Sequence, residues 1–110
     1  MGISTHVLDL SRGTPAEGIP VKLERREQGG GWRLLEEAVT DADGRVKDLL
    51  PAGEALAADV HRLTFATEAY LGPDAFYPEA AVVFRVKDAA AHYHIPLLLS
   101  PFGYSTYRGS

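Results

Sequence analysis

The chain has 110 residues, 11 of them Lys or Arg and 15 Asp or Glu, for a net charge of −4, with 45% hydrophobic residues, 24% charged residues and no cysteine. That length fits one domain, residues 1–110, burying roughly 65% of its unfolded surface, and the composition is that of a soluble globular chain. Mild acidity argues against a nucleic-acid partner, no apolar run reaches the ~20 residues of a membrane span, and the lack of Cys removes disulfides, thiolate metal sites and a thiol nucleophile.

Met1 to His6 contains no basic stretch followed by an apolar one, so no secretory signal is expected and the cytoplasm is the expected compartment. From there apolar residues recur with period two, in short bursts between turn residues. Ile3–Leu10 reads as the first strand, ending at Ser11-Arg12-Gly13-Thr14-Pro15. Val21 to Glu24 alternates apolar and polar. Gly29-Gly30-Gly31 then reads as a hairpin turn into Trp32–Val39, since the Lys-Ser/Thr of a phosphate-binding loop is missing. Asp41-Ala42-Asp43-Gly44 is a tight turn, with Asp to cap it and Gly for a positive φ. It lacks the further oxygen ligands of a calcium loop. Val60–Ala66 is a strand with His61, Leu63 and Phe65 on one face, which makes His61 a partly buried structural residue.

Thr67–Leu71 reads as the one short helix, with Thr67 as N-cap and Gly72-Pro73 as the stop. Ala80–Val86 is a strand with Val82, Phe84 and Val86 inward. His92–Ser100 and Gly103–Arg108 are the last two strands. Pro96 removes one ladder donor, which puts that stretch at an edge or makes it irregular on one side. Seven or eight short strands at this spacing give an all-β sandwich of two sheets.

Chemistry concentrates in few residues. His92 and His94 lie two apart on a strand, so both side chains share a face; His6 lies within the first strand and would join them if the strands are neighbours. Three readings stand side by side: a His₃ zinc site, metal-free acid–base work, and packing with hydrogen bonds at an interface. Arg45, directly after the tight turn, is either a solvated charge or a planar fork projected into a cleft. The chain closes on Tyr107-Arg108-Gly109-Ser110 directly after a strand, which suggests that this segment is tied into something, where most termini fray.

Several blocks together resemble the 5-hydroxyisourate hydrolases, the transthyretin-related proteins of purine degradation. They are Ser4-Thr5-His6-Val7-Leu8-Asp9, Gly13-x-Pro15-Ala16, Thr40-x-x-Asp43-Gly44-Arg45, His92-Tyr93-His94-Ile95-Pro96-Leu97-Leu98-Leu99-Ser100-Pro101 and Tyr107-Arg108-Gly109-Ser110. The match runs nearly end to end and is loose only over Glu27–Glu37 and Glu68–Pro78. Transthyretin, the hormone carrier of the same fold, lacks the closing tetrapeptide and the His and Arg set.

The resemblance implies a transthyretin-like sandwich of about eight strands with one short helix. It implies a homotetramer, a dimer of dimers, in which subunits pair through their last strands and active sites line a channel at the dimer–dimer interface. The implied reaction is hydrolysis of the lactam of 5-hydroxyisourate to a ureido-imidazoline carboxylate on the way to allantoin. His6 or His94 would be the base, Arg45 the substrate and oxyanion clamp, Tyr107 and Arg108 substrate contacts, and Ser110 a group orienting water or a histidine. His92 would stand behind His94. No cofactor is implied, and metal-free catalysis is expected because the fixed charge of Arg45 disfavours a nearby dication. A carrier of transthyretin type that binds a small ligand without chemistry is the competing expectation. An immunoglobulin-like adhesion module is weakened by the missing cysteines.

Overall fold

In the computed structural model, which describes residues 2–110, period-two alternation becomes two facing sheets. Met1, where the reading of the N-terminus began, lies outside the described residues. Strands β1 (Gly2–Asp9), β2 (Thr14–Pro15), β5 (Arg45–Val46), β8 (His92–Ser100) and β9 (Gly103–Thr106) form one sheet. Strands β3 (Pro20–Arg26), β4 (Trp32–Val39), β6 (Val60–Phe65) and β7 (Ala80–Arg85) form the other, in the order β4-β3-β6-β7. Helix α1 (Glu68–Leu71) links β6 to β7.

Among the described residues the sandwich is therefore all-β but for one helix, as expected, with nine strands, two more than the seven read in chain order. The extra count comes from β2 and β5, two residues each, which are too short to show a period. Ile3, Val7, Leu97 and Leu99 from one sheet meet Val21, Leu23, Leu63 and Phe65 from the other, all essentially sealed from water. Their alternate neighbours Ser4, His6, Leu8, His92, His94 and Leu98 consequently point to the opposite face of the first sheet.

β1 runs parallel to β8 over eight residue pairs, Gly2 with His92 through Asp9 with Leu99. Its other edge is shared by β2 and β5, with His6 opposite Arg45. β8 thus lies inside the sheet rather than at an edge. The irregularity expected at Pro96 is on the β9 side: that ladder stops at Leu97, and the Pro96 carbonyl accepts a hydrogen bond from the Thr106 hydroxyl at 2.7 Å. The last strand is correspondingly Gly103–Thr106, shorter than the expected Gly103–Arg108.

Thr67 takes the N-cap position ahead of Glu68, as expected, but its side chain makes no capping bond. Thr67 is itself in helical conformation, and its buried hydroxyl donates to the Tyr77 carbonyl, closing the loop that follows the helix. Gly72 ends the helix at φ 105°, as expected. Tyr70 anchors α1 to the end of β1 by donating to Asp9 Oδ2 at 2.6 Å, while Asp9 Oδ1 accepts from the amides of Ser11 and Arg12. Burial pushes the Asp9 carboxyl up, but the bonds from Tyr70, Arg12 and Ser11 outweigh it and hold it below the ordinary carboxylate value.

His61 is buried completely, not partly. Its ring stacks on Phe84 with centroids 5.8 Å apart, Nδ1 bonds the Asp59 carbonyl at 3.0 Å, and Nε2 is without a partner. Burial holds its pKa below 6.5, with the nearby Arg25 adding to the effect. The unfolded chain therefore takes up a proton near pH 6.5 that the folded chain refuses, so His61 withdraws stability as pH falls below that value. The urea midpoint should drop between neutral and mildly acid pH. His61→Leu should flatten part of that slope while lowering stability at pH 8 by about 1–3 kcal/mol through the lost hydrogen bond and stack; an unchanged slope would exonerate His61.

Candidate active site

The outward face of β1 and β8 carries the histidines. The parallel register sets Ser4 opposite His94, and the Ser4 hydroxyl lies 2.8 Å from His94 Nδ1 and 2.8 Å from His92 Nε2. The expected sharing of a face by His92 and His94 thus takes the form of one hydroxyl held between two imidazoles. His6 lies two residues further along β1, on the same face, and is paired across the ladder with Arg45.

Arg45 owes its place to the turn before it. Asp41 Oδ1 accepts from the amides of Asp43 and Arg45, and these bonds, that of Arg45 foremost, hold its carboxylate below the ordinary value. Gly44 sits at φ 72° and presses onto β1: its carbonyl accepts from the Val7 amide at 2.7 Å, and a Cβ there would stand 2.4 Å from the Val7 carbonyl oxygen. Only glycine permits that approach, and the approach delivers Arg45 beside His6. Ser4, Arg45, Lys47 and His94 line a small cleft of about 110 Å³. A larger groove, about 500 Å³, lies along β3, β4 and the end of β6, bordered by Lys22, Glu37, Val39 and Thr64. It contains neither imidazole nor guanidinium, so size and chemistry point to different places, and chemistry decides.

The closing segment returns to this face. Gly109 donates its amide to the His94 carbonyl at 2.8 Å, a bridge in continuous register with the β8–β9 ladder. Glycine is needed here for contact with the ring rather than for a turn. A Cβ on Gly109 would lie 2.5 Å from His94 Cδ2 and 3.1 Å from Cγ. Ser110 follows directly and is exposed.

Tyr107 and Arg108 go elsewhere within the protomer. Arg108 places its guanidinium 4.6 Å over the Tyr93 ring, and Tyr93 belongs to the core face of β8, opposite His94. Tyr107 is largely exposed and, with Arg108, borders a cavity of about 220 Å³ beside β7. The structure therefore gathers His94, His92, His6 and Arg45 and leads the chain to Ser110 past His94, but it does not bring Tyr107 and Arg108 into the histidine cluster of the same chain.

Ser4 has no assigned role in the sequence reading, although its spacing from His6 is the same two-residue signal that pairs His92 with His94. As for metal, no three His, Asp or Glu side chains converge as a ligand set among the described residues. His94 is depressed below its ordinary pKa of 6.5, by burial first, then by Arg45, then by His6 and His92. It therefore stands neutral at neutral pH.

Known proteins bear on the same residues. A model of the HIUase/Transthyretin family matches residues 3–109. The chain belongs to the HIUase/transthyretin family. The family's 5-hydroxyisourate hydrolase from Salmonella dublin is 45% identical over 111 residues, covering 98% of this chain and 80% of that protein. The solved 5-hydroxyisourate hydrolase of Klebsiella pneumoniae is 38% identical with a TM-score of 0.82, covering all of both chains. Transthyretin from Sparus aurata is 35% identical with a TM-score of 0.88, covering 97% of this chain and 95% of that one. Backbone likeness alone therefore does not separate hydrolase from transthyretin. No helix among the described residues is long and apolar enough to cross a membrane.

The depressed titration of His94 has a direct check. Histidine resonances followed by NMR should place the His94 midpoint below 6.5, and Arg45→Met should raise it by removing a fixed neighbouring charge. A midpoint unmoved by Arg45→Met would mean that the guanidinium does not face the ring.

Proposed function

We infer that this protein is a hydrolase that opens the lactam ring of 5-hydroxyisourate, a step of urate degradation. The observation that carries the reading is His94, held neutral, standing with His6 and Arg45 on one sheet face, in a chain closely similar to proteins named for that reaction. Hydrolysis needs water made nucleophilic and an oxyanion made tolerable. His94, held neutral, takes the proton of the attacking water, and His6 assists from the neighbouring strand. Water oxygen bonds to the lactam carbonyl carbon, and the negative charge developing on the carbonyl oxygen is met by Arg45. The C–N bond then breaks, the nitrogen recovers a proton, and the ring opens to the ureido-imidazoline carboxylate. Ser110, led alongside His94 by the Gly109 bridge, orients water or the ring. No metal or cofactor enters this scheme.

A cleft of about 110 Å³ is small beside the ~300 Å³ and more of ordinary ligand pockets. We propose that further copies complete it in a homotetramer, with Tyr107 and Arg108 reaching substrate only in the assembly. Two surfaces support this. Leu8 and Leu98 are register partners facing outward beside the cluster, next to Leu10, which is 57% exposed. At the free edge of β9, Phe76, Tyr77, Phe102 and Tyr104 form a chain of ring contacts with centroids 4.9–6.3 Å apart. Phe102 is 80% exposed, more than a monomer keeps without use. Edge-to-edge pairing through β9 covers the second surface, and face-to-face packing of two dimers covers the first. The cytoplasm is the compartment we propose.

The test is the spectroscopic decay of freshly made 5-hydroxyisourate, which the protein should accelerate; binding without acceleration would make it a carrier. His6→Ala, Arg45→Ala and His94→Ala should each lower turnover by about 10²-fold or more, and the folded fraction of His61→Ala should stay active. The rate should fall on the acid side with a midpoint below 6.5, as the base is protonated. Gly109→Ala should displace the His94 ring and cost up to about 10²-fold without unfolding the chain. Light scattering should return four chain masses, and Phe76→Asp with Phe102→Asp should reduce both mass and activity; a monomer that is fully active would sink the shared site.

A further inference from the structure

Resting on that reading, we propose that Ser4 and His92 are positioning residues that form a proton outlet for His94, with the Ser4 hydroxyl coupling the tautomers of the two rings. The geometry is specific. One hydroxyl oxygen lies 2.8 Å from His92 Nε2 and 2.8 Å from His94 Nδ1. A hydroxyl carries one proton, so it donates to at most one of these nitrogens, and the other nitrogen must donate to it. The two rings cannot both present lone pairs to Ser4. Fixing the tautomer of one constrains the other.

Only one arrangement leaves His94 with a free basic nitrogen. In it His94 Nδ1–H donates to Ser4, Ser4 donates to His92 Nε2, and His94 keeps a lone pair on Nε2. When that nitrogen removes a proton from water, the Nδ1 proton passes to Ser4 Oγ and the Ser4 proton passes to His92 Nε2. The hydroxyl is restored, His94 ends neutral in its other tautomer, and His92, which already carries a proton on Nδ1, becomes the imidazolium. The reverse movement completes the cycle: His94 Nε2–H protonates the departing lactam nitrogen while His92 returns its proton through Ser4. One proton has moved from water to nitrogen, and no group is left altered.

The surroundings of the two rings explain the direction. His94 is partly buried, with His6 on β1, Arg45 and Lys47 on and beside β5, and no carboxylate in its cleft. His92 is exposed to water. On its far side Gly2 leaves an opening in which His92 Nδ1 and Asp48 Oδ1 stand 3.6 Å and 3.9 Å from where a Cβ would be. Arg108 is engaged with the ring of Tyr93, on the opposite face of β8. A positive charge is therefore better tolerated on His92 than on His94.

The full chain serves for the test, with Ser4→Ala, Ser4→Thr and His92→Phe. Long-range ¹⁵N–¹H spectra of the imidazoles report tautomers without any need for activity. In the unaltered protein at pH 7.5 they should show His94 protonated on Nδ1 and His92 accepting on Nε2. Ser4→Ala should release both rings into tautomer mixtures and lower kcat about tenfold to hundredfold, with KM little changed. Ser4→Thr, which keeps the hydroxyl, should retain the spectrum and stay within a few-fold in kcat. His92→Phe should lower kcat similarly and shift the acid limb of the rate profile. Tautomers unchanged by Ser4→Ala, or changed tautomers with unchanged kcat, overturn the outlet, and so does a fall in kcat with unaltered spectra. An unaltered protein that fails to accelerate 5-hydroxyisourate decay overturns the proposed function instead, and the spectra of Ser4→Ala then decide the coupling by themselves.

Discussion

The parallel ladder between β1 and β8 is the constraint on which the site depends. Parallel pairing gives evenly spaced, slanted bonds and no local hairpin to set its register. That register is fixed by the buried face, where Ile3, Val7, Leu97 and Leu99 must all turn inward. A slip by one residue would bury His94 and expose Tyr93 and Ile95, which the core forbids. The outward face then has no freedom left: Ser4 falls opposite His94, His6 opposite Pro96, and Leu8 opposite Leu98. The polar cluster is positioned by the apolar one behind it.

Two glycines extend this frame. Gly44 lets a turn touch the backbone of β1, and Gly109 lets the closing segment touch the ring of His94. In both cases the space is used by a neighbour rather than by solvent, so a single methyl group would act on the site and not merely on the local chain. Arg45 and Ser110 are thereby attached to β1 and β8 from opposite sides. The cleft is assembled around one strand pair although its residues are spread from Ser4 to His94.

Much of this was readable from residue patterns. The alternation of β6, β7 and β8 gave their faces correctly, including the shared face of His92 and His94 and the inward set of Val82 and Phe84, both half-buried, and of Val86 just past β7. The Asp41–Gly44 turn was readable from its residue types. What escaped depends on partners distant in sequence. Ser4 meets His92 and His94 across separations of 88 and 90 residues, which no local period encodes. Thr67 has the composition of a cap, but the Tyr77 carbonyl competes for its hydroxyl and wins. Arg108 is drawn to the aromatic face of Tyr93, and nothing in the tetrapeptide announces that partner.

The pairing of β1 with β8 also sets an order of events. Residues 2–9 leave the ribosome well before residues 92–99, their partners. Until then β1 has only β2 and β5 beside it, two short strands that bond a few of its residues. Closing so long a loop carries an entropic cost that local contacts do not repay in advance. The edge of β1 that will hold β8 stays open until residues 92–99 are made, with alternate apolar side chains along it. The gathering of Ser4, His92 and His94 and the sealing of that edge are thus one event, so a chain cut short of β8 would lack the cluster and be adhesive at once.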